Sequence, residues 1–351
     1  MKTRTPGRSA ALPLIGTAMT MRIYWGLSLD FPYPLNAAWL CPLVGLLIYL
    51  PFAFALRQAS ALGNSSVWDN LSNRAPKPIM GVAAAGFSLI LIYDAAASVQ
   101  LMALSSNVLA LNDVSPIMLV FPLALVILCA VKLGADAVGN SARLWLRVLP
   151  VFLFVILIVQ SKSYNFGWIT PVLGGGAASI LSGGIYSAGC MAMLSLIWFP
   201  ALPDRRSGGL LPCAALSAVA ASLLMLTQRL LIPVMMGVPL NTAARIDLIL
   251  NNGRMTLSPQ IIVDVLWFGN MLYLISAEAV AAAEFARTLL PKVPIWLLGV
   301  GAALIIGAAA VQNGAWLQVN ADVMSSVFAA VGAVLALLLL FAIFRKRGAN
   351  A

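Results

Sequence analysis

The sequence contains no histidine, only four cysteines and few charged residues. Without histidine, the chain cannot form a Ser-His catalytic pair, a histidine haem ligand or a histidine proton relay. Charged residues make up 9% of the 351 residues, whereas about 25% is typical of soluble domains. This composition excludes an ordinary soluble globular enzyme.

The four cysteines form no pattern that predicts a disulfide or a metal site. Cys41, Cys129, Cys190 and Cys213 all fall in apolar stretches and show no paired spacing. Disulfide frameworks and zinc sites both need cysteines at matched positions. The sequence therefore predicts no disulfide, no metal site and no cofactor.

Hydrophobic residues, by contrast, make up 62% of the chain. Apolar stretches of about 20 residues, long enough to cross a bilayer, occur ten times. The predicted transmembrane helices are residues 10–29, 35–56, 79–104, 114–133, 142–160, 177–199, 210–235, 259–287, 294–311 and 323–344. Because these helices occupy nearly the whole length, the sequence predicts an all-α integral membrane protein with one transmembrane domain, residues 1–351.

Lysine and arginine are unevenly distributed between the two sides of the predicted helices. With the N-terminus in the cytoplasm, 16 of the 21 basic residues fall in inner segments and three in outer loops. Membrane proteins concentrate Lys and Arg in their cytoplasmic loops. We therefore expect both termini to be cytoplasmic, and we attribute the net charge of +10 to topology rather than to nucleic-acid binding.

The ten predicted helices divide into two groups of five around the connection formed by residues 162–176. Because five is odd, the second group enters the membrane in the opposite orientation, as an inverted repeat requires. The two repeats would cover about residues 10–160 and 177–344. The helix count permits this repeat, although the two halves show no convincing sequence identity.

Three charged residues, Arg22, Asp94 and Glu278, lie inside predicted helices. A charge near the bilayer centre costs roughly 2.5 to 3.5 kcal/mol on insertion scales, so it needs a partner, an aqueous cavity or a function. A structural ion pair and a ligand or ion site are both open interpretations. Because an unpaired buried charge costs more than a paired one, we expect Asp94 or Glu278 to lie within ion-pair distance of Arg22.

Two further patterns allow more than one interpretation. Gly183, Gly184 and Gly189 in the sixth helix could interrupt that helix and expose its backbone to a ligand, or they could allow close helix packing. Tyr93-Asp94 is similar to half of an intramembrane aspartyl protease site, but no Gly-x-Gly-Asp partner is present. Aspartyl proteases need two carboxyl groups that share a proton, so we predict no enzyme activity.

The segment from Pro171 to Gly183 resembles the one that precedes helix six in the endospore germination permeases. It contains Pro-Val-Leu, Gly, Ile-Leu and Gly at matching spacing. Ala142-Arg143-Leu144 followed by Pro150 is similar to the entry of that family's fifth helix, and Phe199-Pro200 is similar to the exit from the sixth.

This resemblance implies the fold of the amino acid-polyamine-organocation transporter superfamily, a five-plus-five inverted repeat with breaks in helices one and six. It implies the B subunit of a spore germinant receptor in a bacterial inner membrane, either the cytoplasmic or the spore inner membrane. The implied partners are the A and C subunits, and the implied ligand is a small nutrient, usually an amino acid. An ion-coupled amino acid transporter and a structural subunit with a vestigial pocket are the alternatives.

The resemblance also places the ligand site near the membrane midplane, between helices one, three, six and eight. The candidate residues are Thr20, Arg22, Tyr93, Asp94, Ser187, Gly189 and Glu278. Relatives carry Gly-Thr-Gly at the break of helix one, where this sequence has Thr20-Met21-Arg22. Arg22 therefore either anchors the carboxylate of the ligand or fills the site.

Overall fold

The computed structural model describes most of the chain and contains α-helices and short 3-10 turns, with no strand in the described part. Apart from a few isolated positions, the described residues are 8–25, 36–60, 67–72, 76–109, 116–135, 137–144, 164–170, 176–197, 209–231 and 257–311.

Nine helices carry labels here. They are α1 (Arg8–Trp25), α2 (Cys41–Ser60), α3 (Lys77–Leu109), α4 (Pro116–Leu133), α5 (Ala137–Leu144), α6 (Gly176–Ser195), α7 (Leu210–Leu231), α8 (Leu257–Leu289) and α9 (Ile295–Val311). A short helix, Val67–Ser72, lies between α2 and α3. The two 3-10 turns are Ala38–Leu40 and Phe166–Ile169.

Eight of the ten predicted spans coincide with α1 to α4 and α6 to α9. The predicted spans 142–160 and 323–344 lie mostly or wholly outside the described residues. Within the described part, four helical segments are long and apolar enough to cross a membrane, or five if the sharply bent pair α4–α5 counts as one span. The total of ten helices and the inverted repeat therefore stay predictions.

Helices α3 and α8 form the most extensive contact in the described part of the molecule. Along α8, small residues between Ala277 and Ala283 are almost completely buried, and small side chains let membrane helices approach closely. The Ser88 hydroxyl on α3 donates a hydrogen bond of 3.0 Å to the Ala282 carbonyl on α8. Around this pair, α1 packs against α6, α7 and α8, while α9 packs against α3 and α4.

Within Gly176–Ser195 the predicted break in helix six is wrong, because α6 runs without interruption through these residues. Its glycines instead let α2 approach. A Cβ atom on Gly183 would lie 2.5 Å from the Cys41 sulfur, and one on Gly184 would lie 2.6 Å from Val44 Cγ1. Reciprocally, a Cβ atom on Gly45 of α2 would lie 2.9 Å from the Gly184 carbonyl oxygen.

The predicted break in helix one is also wrong within Arg8–Trp25, since α1 continues through Thr20, Met21 and Arg22. This segment lacks the glycines that give a backbone the freedom to leave the helical conformation. The Thr20 hydroxyl also donates a hydrogen bond of 2.8 Å to the Gly16 carbonyl one turn earlier. The backbone of α1 is therefore not unwound for ligand contact at these residues.

An aromatic cluster, formed by Trp68, Phe87 and Phe285, fastens the short helix Val67–Ser72 to the α3–α8 pair. The Trp68 ring centroid lies 4.8 Å from that of Phe285 and 6.1 Å from that of Phe87, with edge-to-face geometry in both cases. The Trp68 indole N–H donates a hydrogen bond of 3.1 Å to the Thr288 hydroxyl. The short helix Val67–Ser72 is thus anchored near the C-terminal end of α8.

Large apolar side chains also project outward along several helices. Examples at least half exposed are Leu47 and Phe54 on α2, Phe121 and Leu125 on α4, Leu216 and Leu223 on α7, and Leu304 on α9. A water-soluble monomer rarely exposes apolar area on this scale. Together with the apolar helices, these surfaces identify a membrane protein whose outer faces contact lipid.

Candidate functional site

Three helices bring Arg22, Asp94 and Glu278 together in the interior, and we call these three residues the charge cluster. The Arg22 Nη2 atom of α1 lies 2.9 Å from Asp94 Oδ1 of α3. Glu278 of α8 interacts electrostatically with both of them. The predicted ion pair is therefore confirmed, with Asp94 as the partner of Arg22.

The helix packing explains how residues so far apart in sequence meet. Asp94 lies near the middle of α3, and Glu278 lies on the stretch of α8 that packs against α3. Arg22 lies in the last turn of α1, where the negative end of the helix dipole favours a cation. Because α1 packs against α8, its guanidinium reaches the junction of the three helices.

The charge cluster is isolated from solvent. The side chains of Arg22 and Asp94 are 7% and 0% exposed, and Glu278 is also 0% exposed. Electrostatic interactions are strong in such an interior because little water screens them. The arrangement therefore holds its three groups tightly. It also raises the free-energy cost of any charge that lacks a partner of opposite sign.

Charge compensation at the cluster is incomplete. Two carboxyl groups face a single guanidinium group, so the cluster carries an excess negative charge if both carboxyl groups are ionised. Among the described residues, no group donates a hydrogen bond to either oxygen of Glu278, although the Asp94 carboxyl group lies within hydrogen-bonding range of it. Since buried polar atoms are normally hydrogen-bonded, this carboxyl group is the clearest candidate for contact with a further species.

The other four predicted site residues are described, and the hydrogen bonds given for two of them lie within their own helices. The Thr20 hydroxyl bonds within α1, and the buried Ser187 hydroxyl donates to the Gly183 carbonyl at 2.8 Å within α6. Tyr93 directly precedes Asp94 and packs against the hydrophobic core. Gly189 is half-buried on α6. The inclusion of these residues in one ligand site stays a prediction.

Polar contacts that the sequence did not single out also link the central helices. The Tyr49 hydroxyl of α2 lies 2.6 Å from the Ser195 hydroxyl of α6. The Ser217 hydroxyl of α7 donates to the Gly16 carbonyl of α1 at 3.1 Å. In the sequence, these residues stand out only as single hydroxyl side chains within apolar runs. That pattern does not show which helix each hydroxyl contacts.

A family model described as "spore germination protein" matches residues 35–241 of the chain. This range covers more than half of the sequence. The chain belongs to the spore germination protein family. No curated protein matches it.

This membership confirms the resemblance to the germination permeases. It also indicates that the chain has a role in germination. Its family is one of permease-type or receptor-type membrane proteins rather than enzymes. Such families form part of germinant receptor systems, which include other subunits. Asp94 lies inside the matched range, whereas Arg22 and Glu278 lie outside it.

Proposed function

We propose that this spore germination protein is the B subunit of a germinant receptor, and that it binds a small nutrient such as an amino acid at the charge cluster. The observation that supports this proposal is the buried meeting of Arg22, Asp94 and Glu278, contributed by three different helices. Intramembrane charged residues that face the interior commonly mark substrate or ion sites.

The charge cluster offers chemistry for both ends of an amino acid. Because α1 is continuous at residues 20–22, the group proposed to bind a carboxylate is the Arg22 guanidinium, beside its pair with Asp94, rather than unwound backbone. The carboxyl group of Glu278 suits an ammonium group. A zwitterion would therefore bind with its carboxylate towards α1 and its ammonium towards α8.

A binding screen on the purified full-length protein in lipid nanodiscs tests the proposal. Thermal stabilisation by amino acids is expected, with weaker stabilisation by the matched amine that lacks the carboxylate and by the matched acid that lacks the amino group. Glu278→Gln should abolish the response. Glu284→Gln is the matched control, because Glu284 lies on the same helix and is partly exposed in a 3.8 Å pair with Arg287.

Substitutions of Arg22 distinguish an anchor from a residue that fills the site. Arg22→Ala should abolish the response to an amino acid, whereas Arg22→Lys should retain part of it, because the charge survives without the planar fork of the guanidinium. Equal or tighter binding by Arg22→Gly would contradict the anchoring role.

The partners in this proposal are the A and C subunits of the receptor. Co-expression with genes for these two subunits and purification through a tag on this chain should recover all three proteins. Recovery of this chain alone would argue against assembly into a receptor.

The continuous α1 favours one competing function, a structural subunit whose pocket is vestigial. Such a protein would assemble with the same partners but would show no stabilisation by any amino acid in the screen. An ion-coupled transporter would bind amino acids and would also accumulate them in proteoliposomes, which a receptor subunit that only binds its ligand would not do.

A further inference from the structure

Glu278 is the most unusual buried group in the described part of the chain. Its side chain is fully buried, no group among the described residues donates a hydrogen bond to either carboxyl oxygen, and the carboxyl group lies within hydrogen-bonding range of the Asp94 carboxyl group. The charged groups that act on it are the Asp94 carboxyl group and the Arg22 guanidinium. Arg22 is engaged with Asp94 at 2.9 Å.

Two neighbouring carboxylates can both accept hydrogen bonds, but neither can donate one. A protonated carboxyl group, in contrast, has an O–H donor. Close carboxyl pairs in proteins commonly share one proton, because like charges at short distance cannot both persist. One bound proton would therefore supply the missing donor and would also balance the cluster at one positive and one negative charge.

We propose that Asp94 and Glu278 share one exchangeable proton, which makes the charge cluster a proton-binding site within the membrane. The proton comes from water and returns to it, and no other bond is made or broken. The arrangement leaves the ionised carboxylate to pair with Arg22. This inference concerns the same cluster as the nutrient proposal, but it does not depend on nutrient binding.

The groups that face Glu278 come from two of the four helices that pack against α8. Helix α3 contributes Asp94 and α1 contributes Arg22. Helix α9 has no ionisable residue between Ile295 and Val311, and Lys132 of α4 is exposed. The remaining titratable residues of these helices with described side chains are Tyr24, Lys77, Tyr93, Cys129, Tyr273, Glu284 and Arg287.

A metal cation is a poorer fit than a proton. The described residues contain no group of three or more His, Cys, Asp or Glu side chains placed to hold a metal ion. Hard cations take several oxygen ligands, whereas a proton needs only the two carboxyl groups already present.

Infrared spectroscopy of the full-length protein in lipid bilayers tests this proposal without any nutrient. A protonated carboxyl group has a carbonyl stretching band that an ionised carboxylate lacks. Subtraction of the Glu278→Gln spectrum from the wild-type spectrum should leave one such band. Its intensity should fall as the pH rises, and replacement of choline by Na⁺ at fixed pH should leave it unchanged.

Two further variants make the result specific. Asp94→Asn should also remove the band, because Glu278 is then the only carboxyl group beside Arg22 and ionises to pair with it. Glu284→Gln should leave the band in place. If Glu278→Gln does not fold, as judged by gel filtration and circular dichroism, Asp94→Asn replaces it in the subtraction, and the wild-type pH titration stands by itself.

Three results would overturn the proposal. The first is a wild-type spectrum without a protonated carboxyl band at any pH. The second is a band that does not change with pH, which indicates a trapped rather than an exchangeable proton. The third is a band that responds to Na⁺, which indicates a metal-cation site. None of these results bears on amino acid binding, so the two proposals fail separately.

Discussion

Arg22 illustrates how much a single buried charge depends on its partner. Its guanidinium is 7% exposed and lies 2.9 Å from Asp94. Removal of one member of a buried pair leaves the other charge uncompensated, and this is usually more harmful than replacement of both. The contribution of Arg22 to stability is therefore measured best against a surface pair in the same protein.

Arg22→Ala should lower the free energy of unfolding by about 3 to 5 kcal/mol, because Asp94 then lacks its buried partner. The measurement is reversible unfolding in one detergent. Arg287→Ala is the control, since its pair with Glu284 spans 3.8 Å with side chains 40% and 32% exposed. Exposed pairs contribute about 0 to 1 kcal/mol. If the two variants lose equal free energy of unfolding, the buried Arg22–Asp94 pair contributes no more to stability than the exposed pair, which would contradict the prediction.

The charged members of the site could be predicted from the sequence, because a charge inside an apolar helix is rare and needs compensation. Arg22, Asp94 and Glu278 were identified on that ground. Which carboxylate pairs with Arg22 depends on the helix packing, which the sequence does not contain. Ser187 was a candidate because a serine hydroxyl can bind a ligand. In the structure, this hydroxyl donates a hydrogen bond to the Gly183 carbonyl in its own helix.

Among the helical elements, the close packing of α2 against α6 depends on glycines, because a residue without a side chain lets the two helices approach each other. One close approach is at Gly45, where an added Cβ would lie 2.5 Å from Ser187 Cβ and 2.9 Å from the Gly184 carbonyl oxygen. Backbone atoms cannot move aside as a flexible side chain can. The contact therefore tolerates no larger residue without separation of the two helices.

Gly45→Ala should destabilise the protein by about 1 to 3 kcal/mol, the range for overpacked interiors. The measurement is thermal unfolding in lipid nanodiscs. Gly86→Ala on α3 is the matched control, because a Cβ atom there meets nothing within 4 Å. Its melting temperature should be unchanged or higher, since alanine favours the helical state over glycine. A Gly45→Ala protein as stable as the control would contradict the close α2–α6 contact.

Hydrophobic runs predicted eight helices well, because length and polarity determine which segments cross a bilayer. The break predicted at the glycines of the sixth helix failed for a different reason. Glycine permits an interruption, but it equally permits close packing within a continuous helix, as Gly183 and Gly184 show. Local sequence cannot choose between these outcomes, because the choice depends on the neighbouring helix.

For the molecule as a whole, the orientation in the membrane is predicted from the distribution of Lys and Arg between the two sides. The sequence assigns 16 basic residues to inner segments and three to outer loops. Such a bias sets the orientation of membrane proteins. The cytoplasmic location of both termini therefore stays a prediction.

A single cysteine introduced by Gly348→Cys into a variant without the four natural cysteines tests the orientation. A membrane-impermeant thiol reagent should label this variant only after the cells are permeabilised, because the C-terminus is predicted to be cytoplasmic. A cysteine at Lys162, in a predicted outer loop, is the control and should be labelled in intact cells. Labelling of the Gly348→Cys variant in intact cells would reverse the topology.

The aromatic cluster has a consequence for how movement spreads through the α3–α8 pair. Phe87 lies seven residues before Asp94, and Phe285 lies seven residues after Glu278. Seven residues are two helical turns, or about 10 Å along the axis. Both clusters therefore bridge the same antiparallel pair in one register, with the Ser88–Ala282 hydrogen bond between them.

If α8 slides along α3, the contact of Asp94 with Glu278 and the contact of Phe87 with Phe285 must change together. In a variant that keeps Trp68 and replaces the other eight tryptophans, fluorescence should therefore report displacement at the buried charges.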